Sequence, residues 1–477
     1  MLDLVIRGGQ VVTPHAVGAM DIGVQGEEIA AIGRPGTLAA EGARVIDATG
    51  KIVIPGGIEP HAHIGIPVPA QWAGIPDVMT QPPEAASRAA AFGGVTTIID
   101  FAGDLRPGAT AGAPASIMHS IEQRREVFRG HSYTDFAFHY ILAGEVAPAT
   151  VAEIGEAVQA GVASFKIFTT FDQLRVPYGH LWTIFAEVAR HGGIMAVHAE
   201  EDDVVRYMTA KLKREGQAQG HNLHLVHSNL SEDLAFRHVL RLAAHTGAGI
   251  YFVHVTAKEG VAAIDEARTE GRPVYGEALH NYLHFTCEDY KKPGGTAIHT
   301  YPAIKYPEDR DALARGLMDG RLATTATDEY TTYRKPKLWG DTIETVCGGH
   351  NGIETRLPVA YTKLVAERHM PLGRFADVTS TNAAKILGLY PRKGALQPGS
   401  DADIVLLDPR PRTITLADLH ADSDYSIWDG FRSAVYPVTT ILRGHIVVDS
   451  GKLVANSTVG RWLERRVSTD VISRAAV

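Results

Sequence analysis

Eight apolar, strand-like runs between residues 55 and 390 alternate with segments of helical period, and this rhythm constrains the fold most. The runs end near His63, Phe101, Leu142, Phe168, His198, His254, Glu277 and Asp328. The helical segments are 83–92, 116–128, 151–160, 181–190, 232–245, 261–269 and 308–318. Strands that alternate with helices predict a parallel sheet, closed or open.

Eight such units in this length fit an α/β fold of the TIM (β/α)8 barrel type with insertions, assigned to residues 55–390. An open doubly wound sheet is the alternative, although no glycine-rich dinucleotide fingerprint or phosphate-binding loop supports it. The ends of the chain, 1–54 and 391–455, contain short strands that bury little apolar surface alone. We predict that they fold together as one small β-sandwich domain. The tail, 456–477, is amphipathic and basic, and we hypothesise that it packs on a neighbouring subunit.

The formal net charge of −8 argues against a nucleic-acid-binding protein. Two cysteines, Cys287 and Cys347, imply no disulfide framework. The N-terminus lacks the basic and apolar regions of a signal peptide. No apolar run approaches the length of about 18 residues that a membrane span needs. A soluble, cytoplasmic protein without a membrane partner is therefore expected.

The motif His61-Ala62-His63 follows an apolar run, and strand alternation places its two imidazoles on the same face. Two imidazoles so placed can chelate one metal ion, whereas a turn with two solvated histidines is the alternative. Lys166 lies inside the apolar strand 163–168, where a buried lysine is costly unless it is paired or chemically altered. Snorkelling of this lysine to the barrel rim is the competing interpretation.

Three further polar residues, His198, His254 and Asp328, end predicted strands, which is where TIM barrels place catalytic groups. Either histidine among them could alone be a satisfied core residue, but with the earlier motif they indicate a metal centre. The predicted ligands are His61, His63, Lys166, His198, His254 and Asp328. Such a set suits two metal ions of borderline hardness, of which zinc is the favoured choice. Two such ions can hold a bridging hydroxide and polarise a carbonyl. Asp328 is also the predicted general acid/base, moving a proton from the attacking water to the leaving nitrogen.

This pattern resembles the cyclic amidohydrolases of the amidohydrolase superfamily, namely dihydropyrimidinase and hydantoinase, with allantoinase and dihydroorotase nearby. The resemblance covers nearly the whole chain, and its motifs are 55–63, 164–166, 197–200, 253–255, 327–328 and the strand return at 393–403. It implies hydrolysis of a C–N bond in a small cyclic amide. It also implies two zinc ions per subunit bridged by a carboxylated Lys166, and a homo-oligomer, a dimer or a tetramer.

The substrate-binding positions depart from that family. Hydantoinases carry a tyrosine five residues after the bridging lysine, where this chain has Phe171 and therefore no hydroxyl donor. Thr169, Thr170 or Tyr178 could replace it. The family's serine before a proline-rich turn, its asparagine after the eighth strand and its histidine after the aspartate also change, the last to Glu329. The candidate substrate contacts are Thr170, Phe171, Tyr301, Gly349 and His350.

Two polar clusters near these motifs have competing interpretations. The basic residues Arg334, Lys335 and Lys337 could recognise an anionic substituent, but a solvated surface loop is the favoured interpretation. His280 and His284 are expected to support or pack rather than to bind metal.

The leading hypothesis is a binuclear metal hydrolase that opens a cyclic ureide or imide. An allantoinase-like or dihydroorotase-like activity is the nearest alternative. A superfamily deaminase with one catalytic metal is the second, and Lys166 argues against it because such enzymes need no bridging lysine. A non-enzymatic scaffold related to dihydropyrimidinase is the third. Those scaffolds have lost metal ligands, whereas this chain retains every one.

Overall fold

The computed structural model describes residues 1–103 and 116–477. In chain order its strands are β1 (Leu4–Val12), β2 (Val17–Gln25), β3 (Glu28–Gly33), β4 (Arg44–Asp47), β5 (Ile52–Pro55), β6 (Gly57–Ala62), β7 (Val95–Ala102), β8 (Asp135–Ile141), β9 (Ser164–Phe168), β10 (Ile194–His198), β11 (Gly249–Phe252), β12 (Val274–Leu279), β13 (Thr324–Ala326), β14 (Ile404–Asp408), β15 (Arg412–Thr413), β16 (Arg432–Ser433), β17 (Tyr436–Leu442), β18 (His445–Asp449) and β19 (Lys452–Leu453).

The α-helices are α1 (Ala70–Ala73), α2 (Pro83–Phe92), α3 (Ile117–Phe128), α4 (Pro148–Ala152), α5 (Ile154–Gln159), α6 (Tyr178–His191), α7 (Asp202–Arg214), α8 (Leu223–Val226), α9 (Asn229–Thr246), α10 (Lys258–Thr269), α11 (Pro307–Asp319), α12 (Arg334–Lys337), α13 (Arg356–Ala360), α14 (Leu372–Ala376), α15 (Asn382–Ile386) and α16 (Thr469–Ser473). Helices α7 and α8 are not among the segments predicted from the sequence. Within the described ranges, no helix combines the length and the apolarity needed to cross a membrane.

Strands β6 to β13 form one parallel sheet in which each strand pairs with the next along the chain. All eight are buried along their whole length, which explains why they read as continuous apolar runs. The sheet nearly closes, because Ala62 at the end of β6 forms a parallel bridge with Glu329, just beyond β13. The predicted TIM barrel is confirmed.

Helix α6 illustrates how the sequence builds the outer layer of the barrel. Leu181, Ile184, Phe185 and Val188 recur at helical spacing and are all buried against the sheet. Full burial of each such side chain stabilises the fold by about 1.5–3 kcal/mol. The helix ends at Gly192, whose φ of 78° is a left-handed conformation that glycine adopts without a steric penalty.

The two chain ends build a separate nine-stranded sheet with its own apolar core. Its strand order is β19-β18-β17-β14-β5-β1-β2-β3, with β4 added on β1. The halves meet where β5 pairs antiparallel with β14, Ile54 opposite Val405. The small β domain formed by both ends is therefore confirmed, while its boundaries at 54 and 391 stay predictions.

The tail, 456–477, crosses the amino-terminal end of its own barrel. The Leu463 N–H donates to the carbonyl of Phe136 at 2.8 Å, and Leu463 is buried among the barrel's inward-facing side chains. Arg465 is fully buried, and its guanidinium donates to Ser164 Oγ at 2.9 Å. The tail is thus part of the barrel's packing, and its contact with a neighbouring subunit stays a prediction.

Candidate metal centre

The six predicted ligands lie at the carboxyl end of the barrel, because parallel barrel strands all end on one face. His61 lies in β6 and His63 just after it, Lys166 in β9, His198 at the end of β10, His254 after β11 and Asp328 after β13.

His61, His63 and Asp328 form the first cluster of this centre. The Nε2 atom of each histidine lies 3.2 Å from Asp328 Oδ1, and one potential ligand atom from each residue lies within 4.8 Å of the others. Burial lowers the pKa of His61 well below its ordinary value, so its ring is neutral. Within the described residues its buried Nε2 has no hydrogen-bond partner, which leaves a lone pair available to a cation.

His198 and His254 form the second cluster. His198 Nε2 donates to Glu200 Oε2 at 2.9 Å, which leaves Nδ1 as the acceptor nitrogen. That Nδ1 lies 2.9 Å from His254 Nε2, and burial lowers the pKa of both rings. Two nitrogens bound to one tetrahedral zinc ion would be about 3.3 Å apart at ordinary Zn–N distances. The facing nitrogens therefore fit one shared cation.

Lys166 lies between the two clusters. Its Nζ lies 5.3 Å from the ring centroid of Phe101, which packs against His61 and His63, and 5.0 Å from that of Phe168, which packs against His198. Only 1% of its surface is exposed, and burial lowers its pKa to about 8. A substantial fraction of this amine is therefore neutral slightly above physiological pH, unlike that of an ordinary lysine.

Glu277 holds one residue of each cluster in place. From the sequence it is identified only as the end of a predicted strand. Its Oε1 accepts from His61 Nδ1 at 2.9 Å and from the backbone N–H of His254 at 3.1 Å. Its Oε2 accepts from the Tyr251 hydroxyl at 2.6 Å. Donation from Nδ1 directs Nε2 of His61 to the metal centre, an arrangement that raises ligand basicity and holds the ring. The sequence signal that could have revealed this supporting role is a carboxylate at the end of an otherwise apolar strand.

A buried ion pair links the first and last strands of the barrel. Glu59 Oε1 accepts from the backbone N–H groups of His61 at 3.2 Å and Thr327 at 3.0 Å. Arg356 Nε lies 3.2 Å from Glu59 Oε2, and both side chains are fully buried. The pair thus holds the backbone beside one ligand on each strand. Arg356 comes from α13, so no local pattern predicts this pairing.

Backbone conformation also directs two ligands. His254 has a φ of 40° and Asp328 a φ of 51°, which are left-handed values that cost a non-glycine residue about 1–3 kcal/mol. Both residues directly follow their strands, where this conformation turns the chain out of the strand direction. The Glu277 bond to the His254 N–H helps to offset the cost.

A buried chain of hydrogen bonds connects the tail with the first metal motif. Arg465 donates to Ser164 Oγ at 2.9 Å, and Ser164 lies 2.7 Å from His139 Nδ1. His139 Nε2 donates to the carbonyl of Pro60 at 3.0 Å. Because Pro60 directly precedes His61, the tail supports the backbone that carries a predicted ligand.

We expect Arg465→Met to weaken metal retention about tenfold to a hundredfold, the usual effect of losing a residue that supports a ligand. The substitution leaves Ser164 and nearby carbonyls without their donor. Competition with a chelator, followed by metal analysis, measures the effect. Arg466→Met is the matched control, because Arg466 is exposed. Equal metal retention in the two variants would show that the chain of bonds has no influence on the centre.

Phe171 and Tyr301 lie at the mouth of the centre, and both are partly exposed. The Phe171 ring centroid is 5.0 Å from that of His198 and 5.6 Å from that of Tyr301. The Tyr301 hydroxyl donates to the carbonyl of Val346 at 3.2 Å. The mouth is therefore lined by aromatic rings next to His198.

The other candidate substrate residues lie deeper. The hydroxyl of Thr170 donates to Asp202 Oδ1 at 3.0 Å, and Thr170 is buried. His350 is fully buried with its ring centroid 5.5 Å from that of His280. Gly349 has a φ of 82°. Substrate contacts by these residues stay predictions.

The favoured interpretation of the basic run 334–337 as a solvated surface loop is wrong for Lys337. This residue is fully buried, and its Nζ donates to the carbonyls of His299 at 2.9 Å, Cys347 at 2.6 Å and Gly349. It therefore joins the segment before Tyr301 to the segment that carries Gly349. Its neighbours in sequence, Arg334 and Lys335, are exposed, as a solvated loop requires.

Comparison with known proteins agrees with this geometry. The amidohydrolase family model matches residues 52–447. A D-hydantoinase from Streptomyces coelicolor is 31% identical over 97% of each chain. A dihydropyrimidinase from Rattus norvegicus is 31% identical over 98% of this chain and 90% of its own. The crystal structure of dihydropyrimidinase from Brevibacillus agri superimposes with a TM-score of 0.90 at 30% identity, covering 98% of this chain and 99% of the other. This chain therefore belongs to the amidohydrolase family, among its cyclic amidohydrolases, as its motifs predict.

Proposed function

We propose that this protein uses two divalent metal ions to hydrolyse a ring C–N bond of a cyclic ureide or imide. Zinc is the favoured metal. The observation that carries the proposal is the convergence of two clusters and Lys166 on one barrel face, where His61 Nε2 has a free lone pair and the facing nitrogens of His198 and His254 are spaced to share one cation. His61, His63 and Asp328 would hold one ion. His198 and His254 would hold the other, with Lys166 between the two.

Lys166 would serve as a shared ligand after reaction with carbon dioxide. The lone pair of the neutral amine attacks the carbon of CO2, a C–N bond forms, and one proton leaves to solvent. The product is a carbamate that offers two oxygens in place of one amine. Burial and the lowered pKa of about 8 favour this reaction, because only the neutral amine is a nucleophile.

Asp328 is the proposed proton carrier. His61 and His63 hold the pKa of its carboxyl well below the ordinary value, although burial alone would raise it. The ionised carboxylate accepts a proton from the attacking water and delivers it to the ring nitrogen as that nitrogen leaves. Metal ions bound here would polarise the carbonyl and acidify the water. Thr300 donates to Asp328 Oδ2 at 2.9 Å and so orients the carboxylate.

A hydrolysis panel on zinc-loaded protein tests this function. The panel holds dihydrouracil, hydantoins with small and aromatic substituents, allantoin, dihydroorotate and cyclic imides, with mass spectrometry to detect products heavier by one water. We expect turnover of a neutral cyclic ureide or imide, and none with His61→Ala. Turnover of dihydroorotate alone would favour the dihydroorotase-like alternative. Two bound ions without turnover of any ring would contradict the proposal.

We also propose a cytoplasmic homo-oligomer, a dimer or a tetramer, as the resemblance to cyclic amidohydrolases implies. Light scattering after size-exclusion chromatography measures its mass. Deletion of 456–477 then tests whether the tail takes part in assembly.

A further inference from the structure

Hydrolysis of a cyclic amide places negative charge on the carbonyl oxygen in the transition state, so a donor aimed at that oxygen accelerates the reaction. A ring with two carbonyls also needs a donor to hold its orientation. Phe171, at the mouth, offers neither an O–H nor an N–H group. The question, which rests on the proposed function, is which side chain of this protein donates.

The hydroxyl groups that the sequence offers as replacements already have acceptors. They donate as follows: Thr169 to the Glu200 carbonyl at 2.7 Å, Thr170 to Asp202 at 3.0 Å, Tyr178 to Glu201 at 3.1 Å and Tyr301 to the Val346 carbonyl at 3.2 Å. Donation to a substrate would break these bonds and leave buried acceptors unsatisfied in several cases.

Tyr330 differs from all of them. It follows Asp328 by two residues, and its ring meets the ring of His63 edge-on, with centroids 6.1 Å apart. Within residues 1–103 and 116–477 its hydroxyl forms no hydrogen bond with another residue. Tyr330 is partly exposed, as His63 is, whereas His61 and Lys166 are 1% exposed. It therefore borders the side from which substrate reaches the centre.

The surrounding backbone fixes this ring in place. The Tyr330 N–H donates to the His350 carbonyl at 3.1 Å. A Cβ atom on Gly349 would lie 2.2 Å from the Cβ of Tyr330, so only glycine permits this close approach. Glu329, the preceding residue, is buried and accepts from the N–H groups of Gly352 at 2.7 Å and Ile353 at 2.8 Å. The ring itself packs against a small apolar cluster that includes Cys347, so it is held in place before substrate arrives.

We propose that Tyr330 is a catalytic residue whose hydroxyl donates a hydrogen bond to a carbonyl oxygen of the cyclic amide, strengthening as charge develops there. The assignment explains why Phe171, which lies against His198, is tolerated without a hydroxyl group. It also gives Gly349 a role, which is to leave room for the tyrosine.

Tyr330→Phe is the first test, made on a ring that the wild type hydrolyses. We expect kcat/KM to fall about a hundredfold, mostly in kcat, with both metal ions retained. Tyr333→Phe is the matched control, because that hydroxyl lies on an exposed side chain and donates to Asp422. A Tyr330→Phe variant within about threefold of wild type would overturn the proposal, as would a slow variant that has lost metal.

A second variant tests the position of the donor. Adding Phe171→Tyr to Tyr330→Phe places a hydroxyl on the ring that lies against His198. We expect this pair to recover at least about tenfold of the lost kcat/KM, because the oxyanion again has a donor. Wild-type protein with two ions that opens no ring would count against the proposed function itself. If the wild type opens a ring and the Tyr330→Phe variant opens it equally fast, the result would count only against the role of Tyr330.

Discussion

Asp328→Asn is expected to lower kcat about a thousandfold, within the range that general acid–base catalysis supplies. Asparagine has the shape of aspartate and retains one of its two oxygens, but its amide cannot accept a proton from water. Steady-state kinetics with metal analysis of the same sample measures the effect. Asp470→Asn, an exposed position on α16, is the matched control. A variant that retains more than about a tenth of wild-type kcat would exclude Asp328 as the proton carrier.

Lys166→Ala is expected to lose at least one of two metal ions and activity on the order of a thousandfold, the value of several kcal/mol of lost transition-state stabilisation. The barrel should remain folded, because alanine fits a strand interior. Metal content, circular dichroism and turnover separate the two effects. Full activity would revive a mononuclear, deaminase-like mechanism.

The same lysine predicts a pH dependence. Metal-free wild type depleted of CO2 should regain activity when zinc and CO2 are supplied. At constant dissolved CO2, the initial rate should rise about tenfold per pH unit below pH 8 and level off above it, because the neutral amine follows the pKa of about 8. Lys166→Ala should show no response to CO2. A rate independent of pH would mean that the buried amine is not the reacting group.

The barrel, and the convergence of the six candidate ligands at one end of it, could be predicted because their signals are local. Strand alternation places His61 and His63 on one face, and a strand end is visible at His198 and Asp328 without knowledge of the rest of the chain. A lysine within an apolar strand stands out for the same reason. The joining of the two chain ends in one β domain followed from the short strands at both ends, but its single nine-stranded sheet was not predicted.

The supporting residues could not be predicted because their partners are distant in sequence. Lys337 belongs to a basic run that is typical of solvated loops, and only the carbonyls of His299 and Cys347 make its burial favourable. The same holds for Arg356, whose partner is Glu59. Tyr330 was missed because only the structure shows that the hydroxyls of Thr169, Thr170 and Tyr178 already have acceptors.

The division of the small sheet between the two chain ends has a consequence for biosynthesis. Strands β7 to β13 each pair with the preceding strand, so they can assemble in the order in which the ribosome delivers them. Strand β5 obtains its β14 partner only when Val405 has been synthesised, and until then its edge is unpaired. A nascent chain paused before this point carries an open apolar edge beside a largely formed barrel. The small sheet, and the support that Arg465 gives to the candidate metal centre, are therefore completed only after all eight barrel strands have been synthesised.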